Sequence, residues 1–340
     1  MKTMDFDYTL PPELIAQTPA EQRDGSRLMV INRKSGTVNH CRFSDLPEFL
    51  RPGDCLVINN SRVLPARLIG KRESGGRAEI LLLKDLGQNR WDCLVKPGKS
   101  LREGAKVLFG GGKLTGIIER VGSDGERIVR FEHTGDWNEL LDELGALPLP
   151  PYIKEKPSDA GRYQTVYAKS PGSAAAPTAG LHFTDELLSD LRNKGIEIAE
   201  ITLHVGLGTF RPVTAEKVED HVMHTEWCEI SESAAAIVNQ TRAHGGRVVA
   251  VGTTSCRTLE SAALPNGTLQ AGRLETGIFI TPGVDFRLTD ALITNFHLPQ
   301  STLLMLVSAF YTREGILAAY EEAIKERYRF FSFGDAMLIV

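Results

Sequence analysis

Apolar positions follow two different rhythms along this chain. Between residues 62 and 132 they alternate with polar ones in six short segments: RVLPARLIGKR, AEILLLKDL, RWDCLVKP, KVLFG, KLTGIIERVG and ERIVRFE. Gly-rich or polar turns separate them, such as Ser74-Gly75-Gly76, Gly87-Gln88-Asn89 and Gly110-Gly111-Gly112. Successive strand residues point to opposite faces, so each segment predicts a half-buried strand, and six strands suffice to close a barrel. After a proline-rich connector at 145–151 the rhythm changes. Segments of strand character (IEIAEITLHV, RVVAVG, ALIT, AMLIV) alternate with helical ones: DELLSDLRNK behind Thr184, ESAAAIVNQTRAH behind Ser231, then TTSCRTLESAAL, STLLMLVSAF and GILAAYEEAIKERY. Such alternation predicts an α/β domain with a mostly parallel sheet. The stretch before residue 60 follows the same alternation, with LMVIN, then SDLPEFL, then DCLVIN. The simplest organisation is a discontinuous α/β catalytic domain of residues 1–60 and 150–340, interrupted by an inserted six-stranded antiparallel β-barrel at 61–149.

Composition narrows the class. With 340 residues, 42% hydrophobic and 24% charged, the chain has the make-up of a globular protein of about two domains. Two early acids and no apolar core in Met1-Lys2-Thr3-Met4-Asp5-Phe6-Asp7 argue against a secretory signal. The most apolar stretch, 302–310, is far short of the roughly 20 residues a bilayer needs. Five scattered cysteines lack zinc or redox spacing, so a cytoplasmic protein without membrane association is expected. Nothing reads as a dimer helix, and a monomer is expected. Net charge is −4, yet residues 61–113 hold twelve Lys and Arg against five Asp and Glu. Such asymmetry suggests a polyanion contact on one part of the molecule; a merely soluble surface explains it about as well.

Candidate chemistry lies at strand-to-helix junctions, where open α/β domains bind ligands and helix N-termini favour anions. The loop 172–184 carries small residues, Thr178, His182 and, as an N-cap, Thr184. His204 ends a strand before Gly206-Leu207-Gly208-Thr209-Phe210-Arg211-Pro212, which lacks the third glycine of a dinucleotide fingerprint. His221, His224 and Glu226 invite a metal reading, but no HEXXH helix accompanies them, and substrate contact or helix capping suits them better. Thr253, Thr254 and Arg257 follow a buried strand into a hydroxyl-rich helix start suited to a carboxylate or phosphate. Glu275 and the run Asn295-Phe296-His297, with Ser301 before the next helix, offer an acid, hydrogen bonds and a ring for base recognition, although a lone aromatic such as Phe296 is a core residue about as often. Residue chemistry alone reaches an α/β enzyme with a histidine- and threonine-lined site and a basic appendage. It does not reach a reaction.

At these same motifs the chain resembles the S-adenosylmethionine:tRNA ribosyltransferase-isomerases of queuosine biosynthesis. The similarity is carried by RYQTVYAKSPGSAAAPTAGLHFT, HVGLGTFRPV, MHTE, AVGTTSCRTLES, TNFHLPQSTLLMLVSAF, YRFFSFGDAMLI and, nearer the start, ELIAQTPAEQRDGSRLMV and NNSRVLPARL. It spans essentially the whole chain. The resemblance implies transfer and isomerisation of the ribosyl part of S-adenosylmethionine onto 7-aminomethyl-7-deazaguanine at the tRNA wobble position. Adenine and methionine leave, and the product is epoxyqueuosine-tRNA. S-adenosylmethionine would be a consumed co-substrate, with no bound cofactor and no metal. On this basis His204 or His182 is the base expected to take a proton from the ribose 5′ carbon. Glu275 is expected to meet the sulfonium or the methionine ammonium. Thr178, Thr184, Thr253, Thr254, Arg257, Asn295, Phe296, His297 and Ser301 are expected to bind substrate, and Arg62, Arg67, Lys71 and Arg72 to bind tRNA. A methyltransferase would instead show an early glycine-rich turn after its first strand, and a plain RNA-binding module would not need so many histidines and hydroxyls.

Overall fold

The structure, a computed structural model, describes residues 1–122, 125–155, 159–206 and 213–340. Contacts divide the chain into two compact units: Met1–Arg62, Pro150–Ser170 and Ala176–Val340 form one, and Val63–Leu149 with Pro171–Ala175 form the other.

The first passage of the chain runs through β1 (Arg27–Ile31), β2 (Val38–Arg42), the short helix α1 (Leu46–Phe49), β3 (Cys55–Asn59) and β4 (Ser61–Val63). Next come β5 (Arg67–Arg72), β6 (Arg77–Asp85), β7 (Arg90–Lys96), β8 (Lys106–Phe109), β9 (Leu114–Val121), β10 (Glu126–His133), α2 (Trp137–Leu144) and β11 (Gly145–Ala146). The strands β5 to β10 form a closed antiparallel barrel in the order β5-β6-β7-β10-β9-β8, with β8 pairing back onto β5. Period-two burial explains the closure: Leu68, Ile80, Leu82, Cys93, Val107, Ile118, Val129 and Phe131 point inward and fill it. At the seam Gly70 is required, because a Cβ there would sit 2.5 Å from the Leu108 carbonyl oxygen.

The chain continues through β12 (Ser170–Ser173), α3 (Asp185–Asn193), β13 (Glu197–Leu203), β14 (Glu226–Ile230), α4 (Glu232–Ala243), β15 (Val248–Val251), α5 (Gly252–Ala262), β16 (Gly272–Thr276), β17 (Ala291–Asn295), α6 (Thr302–Phe310), α7 (Arg313–Lys325) and β18 (Ala336–Ile339). Nine strands form one sheet, ordered β16-β14-β13-β3-β15-β17-β18-β1-β2. Its centre, β13-β3-β15-β17, is parallel, and every neighbour pair in that block runs the same way. Outside it β14 and β16 on one side, and β18 on the other, begin antiparallel additions. The sheet is therefore mixed, with a parallel heart. β3, β15 and β17 are buried at every residue, which is why each opens on a run of apolar residues, with polar Asn59, Thr294 and Asn295 only at the C-terminal ends of β3 and β17. Alternate residues face two layers. Met29, Val57, Ala250 and Leu292 meet α4 to α7, while Leu28, Ile58, Val251 and Ile293 meet α3, Phe43 and Leu46. Hydroxyl caps start the helices as the sequence predicts: Thr184 accepts from the Leu187 amide, Ser231 from Ala234 and Ser301 from Leu304. Among the described residues no single helix is long and apolar enough to cross a membrane.

Candidate active site

The four parallel strands all point their C-terminal ends to one edge of the first unit, and polar residues crowd there. Asn59 ends β3 fully buried. Its Nδ2 donates to the Leu203 carbonyl at 2.9 Å, and its Oδ1 accepts from the amides of Leu203 (3.0 Å) and Ser61 (3.1 Å). This amide ties the ends of β3 and β13 together, fixing the two residues that follow them. Ser61 Oγ then lies 2.8 Å from Nδ1 of His204. The imidazole stacks on Trp227, with ring centres 4.9 Å apart and planes 14° from parallel. Burial pushes the His204 pKa down and Glu229 partly offsets this, so the ring is neutral near pH 7. With Nδ1 turned to Ser61, no described residue bonds Nε2, the position a general base needs open. Glu275, exposed on β16, is the register partner of Trp227 and so shares its face.

On the opposite face of β14, Glu226 is buried. It binds Arg257 through Oε2, accepts the Gly206 amide at 2.9 Å through Oε1, and has His224 Nε2 at 3.4 Å. Burial alone would raise the Glu226 pKa. His224 and the Arg257 charge outweigh it and hold the carboxyl below its usual range. Arg257, on α5, is itself 4% exposed. No side chain caps α5, and its first turn carries Thr253 and Thr254.

A second network occupies the far side of the edge. Asn295 Nδ2 donates to His182 Nε2 at 3.1 Å, and Thr178 Oγ1 donates to Asn295 Oδ1 at 3.0 Å. His182 Nδ1 then carries the proton and donates to Ser26 Oγ at 2.7 Å. The ring stacks on Phe43, and burial first, then Arg329 and Arg23, lower its pKa to about 3. Both nitrogens are engaged. His297 Nε2 meets Thr294 Oγ1 at 2.7 Å, and burial takes its pKa to about 3 as well. Phe296 is a correction to the sequence reading. Its ring is fully buried among Tyr320, Tyr328 and Phe330, leaving no face for a nucleobase. The hydroxyls of Thr184 and Ser301 are engaged as helix caps.

Among the residues expected to bind tRNA, Arg62 and Lys71 are exposed. Arg67 is half-buried beside Glu79 at 3.3 Å, and the Arg72 guanidinium lies over Gly76, where a Cβ would sit 2.0 Å from it. Residues 207–212 of the glycine motif lie outside the described residues. Among the described residues no cluster of three or more His, Cys, Asp or Glu is placed to hold a metal ion. Sequence reasoning did not single out Ser61, Trp227, Asn59 or Ser26. Ser61 and Asn59 sit in the NNSRVLP motif, but only the pairing of β3 with β13 brings them to His204.

A parallel strand block with titratable and hydroxyl side chains along its C-terminal edge is the arrangement of an α/β enzyme, a class in which ligands sit at the strand ends. The sequence profile of the family described as queuosine biosynthesis protein matches residues 3–339, and the chain belongs to that family. It is also similar to the crystal structure of an S-adenosylmethionine tRNA ribosyltransferase from Thermotoga maritima, at 40% identity, with a TM-score of 0.57, over 99% of this chain and 100% of that one.

Proposed function

We propose that this protein transfers and isomerises the ribosyl group of S-adenosylmethionine onto 7-aminomethyl-7-deazaguanine at the wobble position of tRNA, releasing adenine and methionine. The observation that carries the reading is His204: a neutral imidazole at the sheet edge, oriented through Nδ1 by Ser61, with no described residue bonded to Nε2. The adjacent sulfonium acidifies the ribose 5′ carbon, and Nε2 of His204 removes a proton from it. The sugar then opens and adenine leaves. The aminomethyl nitrogen attacks, methionine departs, and an epoxide remains. His182 is the poorer base, since Nε2 accepts from Asn295 and the ring resists protonation until about pH 3. It serves instead to hold Asn295 and Thr178 in place for substrate. Glu275 and the Trp227 ring, on the same face as His204, suit a cationic sulfonium or ammonium. Thr253, Thr254 and Arg257 hold an anionic group of the substrate. His297 lines the same edge. Arg62, Arg67, Lys71 and Arg72 contact the tRNA backbone.

The test follows the fate of the methyl group. With methyl-labelled S-adenosylmethionine and tRNA bearing the precursor base, label should appear in free methionine alongside free adenine. Label in the tRNA, with S-adenosylhomocysteine as by-product, makes the protein a methyltransferase and ends the proposal.

A further inference from the structure

Arg257 has more hydrogen-bonding capacity than the protein uses. Its side chain is 4% exposed, yet among the described residues only Nη1 has a partner, Glu226 Oε2. Nε and Nη2 are both buried without one, and so is Thr254 Oγ1. Leaving such groups unpaired in a folded core is costly, and more so for a charged donor than for a neutral one. The unused atoms are also the informative ones. Nε and Nη2 form the side-on edge of a guanidinium, whose two parallel N–H bonds match the two oxygens of a carboxylate. Thr254 lies three residues before Arg257 and Thr253 four, so all three share one face of α5. The N-terminus of that helix has no side-chain cap, whereas α3, α4, α6 and α7 each have one. Its free amides and dipole add to the preference for an anion.

We infer that the Nε–Nη2 edge of Arg257, with Thr254 Oγ1 and the open start of α5, is the seat of the substrate's α-carboxylate. This deepens the reading above and rests on it, because the carboxylate is that of the methionine part of S-adenosylmethionine. Glu226 acts as a positioning residue. It fixes Nη1, which turns the other edge of the guanidinium away from itself, and it neutralises the arginine so that one further anion brings the group to a net charge of −1. Through its other oxygen it holds the Gly206 amide, two residues beyond His204. One carboxylate thereby orients both the anion seat and the segment that carries the base. An RNA phosphate offers related chemistry, but a seat this buried favours a small terminal group over a polymer backbone.

Calorimetric binding of S-adenosylmethionine and of its decarboxylated counterpart tests this without relying on turnover. The wild type should prefer the carboxylated ligand by about 100-fold, as a bidentate charge-assisted pair provides. Arg257→Lys keeps the charge beside Glu226 but lacks the fork, and should shrink that preference to a few-fold while binding the decarboxylated ligand nearly as before. Thr254→Val, a nearly isosteric change, should reduce the preference by a smaller factor and serves if the lysine variant does not fold. Inorganic phosphate should not displace the ligand. Equal binding of both ligands by the wild type, or an undiminished preference in folded Arg257→Lys, overturns the carboxylate seat alone. Competitive displacement by phosphate, with no carboxylate preference, reassigns the seat to a phosphate. Failure of the wild type to bind S-adenosylmethionine at all overturns the functional reading too.

Discussion

The residues that divide most sharply are three histidines and a phenylalanine in similar polar surroundings. His182, His204 and His297 each sit in a polar motif near a strand end. Burial and hydrogen bonding separate them: His182 is held neutral with both ring nitrogens engaged, His297 is buried with Nε2 on Thr294, and His204 keeps Nε2 open among the described residues. His204→Ala should cut adenine release by at least about 100-fold in a folded protein, as loss of a general base does. The base works only when deprotonated, so kcat/KM should rise with pH through the His204 pKa and then level off. Burial depresses that pKa, placing the acid limb below the ordinary histidine value of about 6.5. Phe296 makes the opposite case. Its ring fills the core beneath the edge, so Phe296→Ala should cost about 3–5 kcal/mol in urea unfolding. Phe296→Leu, closer in volume, should cost about 1.5 kcal/mol or less. A lone aromatic between two polar residues carries no mark of its burial, and only the ring cluster of Tyr320, Tyr328 and Phe330 settles which role it has.

Among the elements, the parallel heart of the sheet and its neighbours β18 and β1 were legible in the sequence, and the outer strands β2, β14 and β16 were not. β3, β15 and β17 announce themselves because both faces are buried. β2 (VNHCR) and β16 (GRLET) are half-exposed outer strands whose polar composition hides them, and β14 lies next to the β16 edge. That matters for the site, since β14 carries both Glu226 and Trp227. Asp54 shows how the strand starts are secured at the other end. It accepts the Arg247 amide at 3.1 Å and pairs with that guanidinium at 2.6 Å, joining the entries to β3 and β15. Burial would raise the Asp54 pKa, but the Arg247 side-chain bond and the backbone bonds outweigh this and depress it. A depressed carboxylate contributes stability above its unfolded pKa of about 3.9 and loses it as pH falls through the folded value. The stability gap between wild type and Asp54→Asn should therefore be constant above about pH 5 and close as the solution becomes more acidic than about pH 4, which chemical denaturation across pH measures. A gap that widens in acid would show that Asp54 does not act through its charge.

For the whole molecule, period-two alternation made the barrel readable strand by strand. The reaction was not readable from residue chemistry; the long family motifs pointed to the one proposed above. The basic stretch 61–113 gains a defined scaffold in the barrel, with Lys71 exposed on the seam strand β5. Lys71→Glu should weaken tRNA binding and lower the slope of log affinity against log salt by about 0.7–0.9 for each phosphate it no longer neutralises. An unchanged slope in a titration from low to moderate salt would remove this strand from the tRNA interface. The central claim is that Nε2 of His204 takes a proton from the ribose 5′ carbon, and isotope retention in the complete reaction tests it most directly. S-adenosylmethionine carrying two deuterons at the 5′ carbon is turned over with precursor tRNA, and the modified nucleoside is analysed by mass. The account predicts wild-type product with at most one deuteron, and neither washout of deuterium from S-adenosylmethionine nor product with His204→Ala; deuteron loss and product formation at the wild-type rate in folded His204→Ala would contradict it.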